Sequence, residues 1–223
     1  MHPPPTNKGK TFPPEPLTHE EVTHLIASIP TRSISGIRLR AIVAVLYGAG
    51  TRLNETLKME PRDVDLQAGT IRVRYGKRKP RKDLAKPMYP YRVRLVGIDS
   101  ENLAHLARWM DRRRELGLAA RHPLFATYEA GNVGRPLQPR YVRAALARAA
   151  ERAGLTKRVH PHGLRHSHAF DLADKLPAHV IKDQLGHDNL ATTDRYVSHL
   201  NPVQVIRAVQ NRRRPAEGEP PQG

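Results

Sequence analysis

Three short stretches, far apart in the chain, hold the side chains best suited to chemistry. They are Gly50-Thr51-Arg52-Leu53-Asn54-Glu55, His162-Gly163-Leu164-Arg165, and the run from Gly186-His187 to Arg195-Tyr196. The last reads as a helix end, a tight corner and a short helix on which a tyrosine follows a histidine by nine residues. Two arginines from distant segments, with histidines and a tyrosine, suit phosphoryl transfer from a diester. The pentavalent transition state carries extra negative charge on its non-bridging oxygens, and two guanidinium forks can hold those oxygens through charge-assisted hydrogen bonds. A tyrosine hydroxyl can act as nucleophile and keep the phosphate covalently bound. A histidine can accept the phenolic proton, and a lysine or histidine can protonate the leaving alkoxide. Arginines then supply the charge a metal would bring, so neither metal nor cofactor is expected. His162 and His166 do have the i, i+4 spacing of zinc ligands, but a metalloprotease glutamate is missing between them and Arg165 would oppose a cation.

Composition points to the same partner class. Among 223 residues, Lys and Arg number 38 against 21 Asp and Glu, a net charge of +17. So one-sided a balance attracts a polyanion more readily than solubility alone would require. The absence of cysteine excludes disulfides and thiolate-based zinc or redox sites. Met1-His2-Pro3-Pro4-Pro5 lacks the apolar stretch of a signal peptide, and no apolar run approaches membrane-spanning length. A cytoplasmic, soluble protein is expected.

The elements that must position these side chains follow from patterning. Residues 1–17 are proline-rich and read as a flexible arm. Thr18 and Glu21 form a capping box before Val22, Leu25, Ile26 and Ile29, and Pro30 stops that helix. A second helix, about Ile37 to Tyr47, is apolar on most of its surface and should be buried. Gly48 and Gly50 break it, and Thr51 is placed to cap a short helix holding Arg52 and Glu55. A strand pair follows, with Ile71, Val73, Tyr75 and then Tyr91, Val93, Leu95 as the expected core face and Arg72, Arg74, Arg92 and Arg94 opposite. Its long connection carries Lys77, Arg78, Lys79, Arg81, Lys82 and Lys86, cations that repel one another unless phosphate shares the site. A helix from about Glu101 to Leu116 should bury Leu103, Leu106, Ala107 and Met110. Another, from Pro139 to Gly154, should gather Tyr141, Val142, Ala145, Leu146, Ala149 and Ala153 on one side, with Arg140, Arg143, Arg148 and Arg152 on a face that is either solvated or phosphate-facing. The helix from His162 sets His162, Arg165 and His166 on one side, and Pro177 opens a helix ending at Gly186. Asn201-Pro202 starts a last helix with Val205, Ile206 and Val209, and residues 212–223 read as a disordered tail. The fold class is therefore mainly α with a small antiparallel β-sheet.

Arg52 in GAGTRLNE, Lys77 in YGKRK, His162 and Arg165 in HGLRH, His187 in LGH and Tyr196 in TTDRY together resemble the tyrosine recombinase/integrase family, in order and in spacing. The resemblance covers residues 18–211 and implies the catalytic domain of a site-specific recombinase acting on double-stranded DNA. It implies that Arg52 and Arg165 clamp the scissile phosphate, His162 assists proton transfer, and His187 bonds a non-bridging oxygen. Lys77 would be the general acid and Tyr196 the nucleophile, with Glu55 bracing the arginines. Arg78 stands where the family usually has glycine after the lysine, so Lys79 and Lys82 compete for the role of Lys77. With DNA as partner, Arg72, Arg74, Arg78, Lys79, Arg81, Lys82, Arg140 and Arg143 are the expected further contacts, and a nucleoid location follows. The proline-rich arm stands where the family usually carries a helical core-binding domain, so that domain is expected to be absent, either because this sequence is a truncated piece or because the natural protein lacks it. A homo-oligomer, a tetramer on DNA joined through the last helix, is expected, with an accessory DNA-binding protein as a further partner. Type IB topoisomerase-like relaxation and a non-catalytic DNA-binding relic are the alternatives. The His-to-Tyr register speaks against the first and the intact residue set against the second.

Overall fold

The computed structural model describes residues 16–77, 91–173, 175–186 and 209–210. Helix α1 (His19–Ser28) begins on the capping box its spacing predicts: Thr18 Oγ1 accepts from the Glu21 amide at 3.2 Å and Glu21 Oε2 accepts from the Thr18 amide at 2.7 Å. Helix α2 (Ile34–Gly48) starts three residues before its apolar run, because Ser33 Oγ accepts from the Gly36 amide and caps it there. The run Ala41, Ile42, Val43, Ala44, Val45 and Leu46 is apolar all round and wholly buried, which places α2 at the centre of the molecule.

After α2 the chain turns at Gly50, whose φ of +63° is open to glycine and strained for other residues. Helix α3 (Leu53–Thr56) is a single turn. The expected cap at Thr51 is corrected: Arg52 is the N-cap residue, and the Glu55 carboxylate accepts from its amide at 3.0 Å. Thr51 is instead buried, with its hydroxyl 2.7 Å from Thr56 Oγ1 and 3.3 Å from the Val45 carbonyl, because α2 and α3 close over it.

Among the described residues the sheet has three antiparallel strands in the order β1 (Val64–Asp65), β2 (Thr70–Lys77) and β3 (Tyr91–Gly97). On β2 the expectation holds for Ile71 and Val73, which are buried, and for Arg72, which is exposed, while the side chains of Tyr75, Tyr91 and Arg92 lie outside the described part. On β3 it is reversed. Val93 and Leu95 are 50% and 47% exposed, whereas Val96 and Ile98 are buried. The register pairs Ile71 with Val96 and Val73 with Arg94, and directly opposed residues share a face. Arg94 therefore points inward. Val96 and Ile98 complete the core from the far end of the strand, and the Glu55 carboxylate meets Arg94 inside.

Helix α4 (Ser100–Glu115) is capped by Asp99, whose Oδ1 accepts from the Asn102 amide at 3.0 Å. Of the expected core residues Leu103, Leu106, Ala107 and Met110, Leu106 alone is fully buried. Trp109 takes the central place and donates from Nε1 to the Leu124 carbonyl at 2.9 Å. Helix α5 (Pro139–Arg152) buries Val142, Ala145, Leu146 and Ala149 of the expected side, but Tyr141 is exposed, with its ring 5.5 Å from the buried Arg38 guanidinium. Helix α6 (Pro161–Ala173) sends Leu164 and Leu172 into the core. Helices α4, α5 and α6 all pack on α2, and α1 packs on α5 and α6. Helix α7 (Ala178–Leu185) buries Val180, Ile181 and Leu185 and ends at Gly186, φ +64°. Val209 is buried against Leu172, Ile181 and Leu185 of the same chain, while residues 201–208 of the expected last helix lie outside the described residues. Among the described residues no helix is long and apolar enough to cross a membrane.

Candidate active site

The turn after α2, the first half of α6, strand β3 and the end of α7 bring their charged side chains to one place. Glu55 is its hub. Its Oε1 accepts from Arg52 Nη1 at 2.8 Å and from Arg94 Nη1 at 3.3 Å, and its Oε2 accepts from Arg94 Nη2 at 2.7 Å. Burial alone would raise the Glu55 pKa, but hydrogen bonds and charge from Arg94, then Arg52, hold it below the ordinary carboxylate value. Glu55 is therefore ionised at neutral pH and paired with both Arg52 and Arg94.

Arg165 is 4% exposed and reaches from α6 to the same turn. Its Nη1 donates to the Gly50 carbonyl at 2.8 Å and its Nη2 to the Leu185 carbonyl at 2.7 Å. Burial first, then the nearby Arg52 and Arg94 charges, lower its pKa to about 10, against the pull of Glu55. It stays charged at neutral pH. Arg52, with 41% of its side chain exposed, donates from Nη2 to the Gly186 carbonyl at 3.0 Å and is open to solvent. Both guanidiniums thus reach the end of α7, Arg165 buried and held by backbone carbonyls and Arg52 open to solvent.

His162 lies within reach of both charges. Burial, then His166, Arg165 and Arg52, lower its pKa, so the neutral imidazole, which can accept a proton, prevails at neutral pH. Its Nε2 is 2.8 Å from Nε2 of His166, a separation that requires one proton between two nitrogens. Among the described residues no group of three or more His, Asp or Glu side chains is arranged to hold a metal ion.

The structure thus gathers Arg52, Glu55, His162 and Arg165 and adds Arg94, which the alternation of β3 had assigned to the outer face. The signal was present in Val96 and Ile98, whose period of two continues to Arg94. Lys77 ends β2, paired with Tyr91 across a bulge after Tyr75, and its side chain lies outside the described part. His187, Tyr196, Arg78, Lys79, Arg81 and Lys82 lie outside the described residues. Arg72, Arg140 and Arg143 are exposed. Arg74 is different: it donates to Glu60 at 3.1 Å and to the buried Asp63 at 2.6 Å, which raise its pKa and neutralise its charge locally.

The sequence matches the model of the phage integrase family over residues 15–202. It is 33% identical over 189 residues to tyrosine recombinase XerC of Xanthomonas axonopodis pv. citri, across 84% of this chain and 55% of that protein. XerC of Halalkalibacterium halodurans is 33% identical over 192 residues, 86% of this chain and 60% of that protein. The chain spans between about half and three fifths of the length of these curated relatives. The crystal structure of XerA recombinase superposes with a TM-score of 0.64 at 26% identity, covering 94% of this chain and 70% of that one. The lambda integrase catalytic core, at 16% identity, shares the fold with a TM-score of 0.53 over 79% of this chain and 94% of its own. With its helices, hairpin and arginine cluster arranged on that fold, the chain belongs to the phage integrase family.

Proposed function

We propose that this chain cuts and rejoins double-stranded DNA at a specific site through a 3′-phosphotyrosine intermediate. The observation that carries the reading is the convergence of Arg52 and Arg165 beside a neutral His162, groups drawn from two segments far apart in the chain. Arg52 and Arg165 hold the non-bridging oxygens of the scissile phosphate, where charge grows in the transition state. The Tyr196 hydroxyl attacks phosphorus, its proton passes to His162, and a phenolic phosphodiester forms. The bond to the 5′-oxygen breaks, and Lys77 protonates that oxygen. His187 bonds a non-bridging oxygen. Rejoining reverses these steps with a 5′-hydroxyl as nucleophile, so the bond energy is kept in the protein–DNA adduct. The named activity of the XerC relatives supports this reading.

The exposed Arg72, Arg140 and Arg143 contact the DNA backbone on this reading, together with Arg78, Lys79, Arg81 and Lys82 of the hairpin connection. Arg74, neutralised by Glu60 and Asp63, does not. Homo-oligomerisation on DNA belongs to the same proposal, with Val209 of the expected last helix packed on its own chain and residues 201–208 left for a neighbour.

The test is a nicked duplex, its sequence selected from a randomised pool by binding, that traps the adduct once a short strand diffuses away. Wild type is expected to form a covalent complex without added metal, and Tyr196→Phe none. A persistent adduct in Tyr196→Phe overturns the nucleophile. Plasmid relaxation without recombined products would move the reading to a topoisomerase.

A further inference from the structure

Three successive carbonyls at the end of α7 are held by three arginines from three other parts of the fold. Gln184 accepts from Arg94 Nε at 3.2 Å, Leu185 from Arg165 Nη2 at 2.7 Å, and Gly186 from Arg52 Nη2 at 3.0 Å. A helix C-terminus carries partial negative charge, so cations there are stabilising, but one would suffice. Two of the three belong to the proposed phosphate clamp. The third, Arg94, turns both terminal nitrogens to the Glu55 carboxylate and its Nε to the Gln184 carbonyl, so its fork is engaged within the protein. It lies flush against the backbone, since a Cβ added at Gly186 would come within 2.8 Å of Arg94 Nη1.

The charge balance gives Arg94 its role. Glu55 can neutralise one guanidinium. Paired with Arg52 alone it would leave a neutral couple where an anion must bind. Arg94 instead spans both carboxylate oxygens with its two terminal nitrogens, at 3.3 Å and 2.7 Å, whereas the Arg52 guanidinium touches Oε1 alone, at 2.8 Å. We infer that Arg94 is a positioning residue of the phosphate site: it supplies the countercharge to Glu55, so that Arg52 keeps positive charge for the phosphate, and it fixes the end of α7 on which Arg52 and Arg165 are aligned. This rests on Arg52 and Arg165 being the phosphate clamp.

The inference separates from a simple structural ion pair by rescue. Arg94→Gln leaves the Glu55 carboxylate to Arg52 alone, and adduct formation at saturating nicked duplex should slow by about 100-fold, the loss typical of one preorganised charge contact. Affinity for the duplex should change much less. Adding Glu55→Gln removes the carboxylate and returns the Arg52 charge, so the double variant should recover about tenfold of that loss. A purely structural pair also regains stability when both partners go, so the rate is read per folded molecule with urea midpoints measured beside it; a double variant no faster per folded molecule than Arg94→Gln overturns the inference.

A second measurement needs no cleavage. Arginine Nε–H resonances of Arg52 and Arg165, titrated with inorganic phosphate, should shift saturably in wild type and in the double variant and weakly in Arg94→Gln. If wild type forms no adduct yet these titrations differ as stated, the strand-cleavage reading falls and the role of Arg94 stands. Identical titrations in all three overturn the role of Arg94. Should Arg94→Gln fail to fold, Arg94→Lys carries the test. It keeps the countercharge without the fork, so phosphate binding should survive, and a complete loss would overturn the charge argument.

Discussion

His160, the residue before α6, accepts from the Gly163 amide through Nδ1 at 2.9 Å and so caps the helix that carries His162 and Arg165. That bond requires an unprotonated Nδ1. Burial, then Arg158, His162 and His166, push the His160 pKa down, as burial and the neighbouring cations do for His162. An unfolded imidazole titrates near 6.5, so just below that pH the unfolded chain binds protons the folded one refuses. Stability from these groups is therefore full above about pH 6.5 and is lost as pH falls through their lowered folded values. Urea midpoints should be lower at pH 5.5 than at pH 7.5. His160→Ala should cost about 1 kcal/mol at the higher pH, the usual loss of a cap, and His160→Asn much less. A midpoint independent of pH in wild type would refute the assignment.

Among the elements, β3 separates the arginines that meet solvent from the one that meets the site. Its inward face holds Arg94 and Val96 and its outward face Val93 and Leu95, opposite Arg74 and Arg72. The two outward arginines of β2 should then behave differently on substitution. Arg74→Ala removes the partner of a buried Asp63 and should destabilise the fold by about 2 kcal/mol, discounted for the partial exposure of the pair, with DNA affinity little changed. Arg72→Ala should leave the urea midpoint unchanged and weaken DNA binding. If Arg72 contacts one phosphate, the slope of log affinity against log salt should fall by about 0.9. Equal effects of the two substitutions on both measurements would remove the distinction.

The whole molecule is a core built round α2, with a smaller apolar cluster of Leu172, Ile181, Leu185 and Val209 between α6 and α7. Val209 closes that cluster within its own chain, against the same Leu185 whose carbonyl Arg165 holds. Val209 is thereby linked through packing to the end of α7 that Arg52, Arg94 and Arg165 hold. Val209→Asp should lower the thermal midpoint of the DNA-free protein by several degrees, because a carboxylate would be buried without a partner. The decrease should not depend on protein concentration if the contact is made in cis; a dependence would show that a second copy supplies it.

Most helix limits were legible in the chain itself, since capping and stop signals are local: Thr18 with Glu21 starts α1, Gly117 and Gly154 follow α4 and α5, and Gly186 follows α7. So was the set Arg52, Glu55, His162 and Arg165, because motif spacing survives without any knowledge of contacts. A period of two could not orient β3. Both of its faces carry apolar residues, so the facing of Arg94 depends on Val96 and Ile98 finding the core and on a Glu55 carboxylate contributed by a distant helix. The same holds for Thr51 and Trp109, whose places follow from the packing of α2 against α3 and of α4 against the Leu124 backbone. Local signals say where an element begins; which of its sides is buried depends on the volume and charge that other elements bring to it.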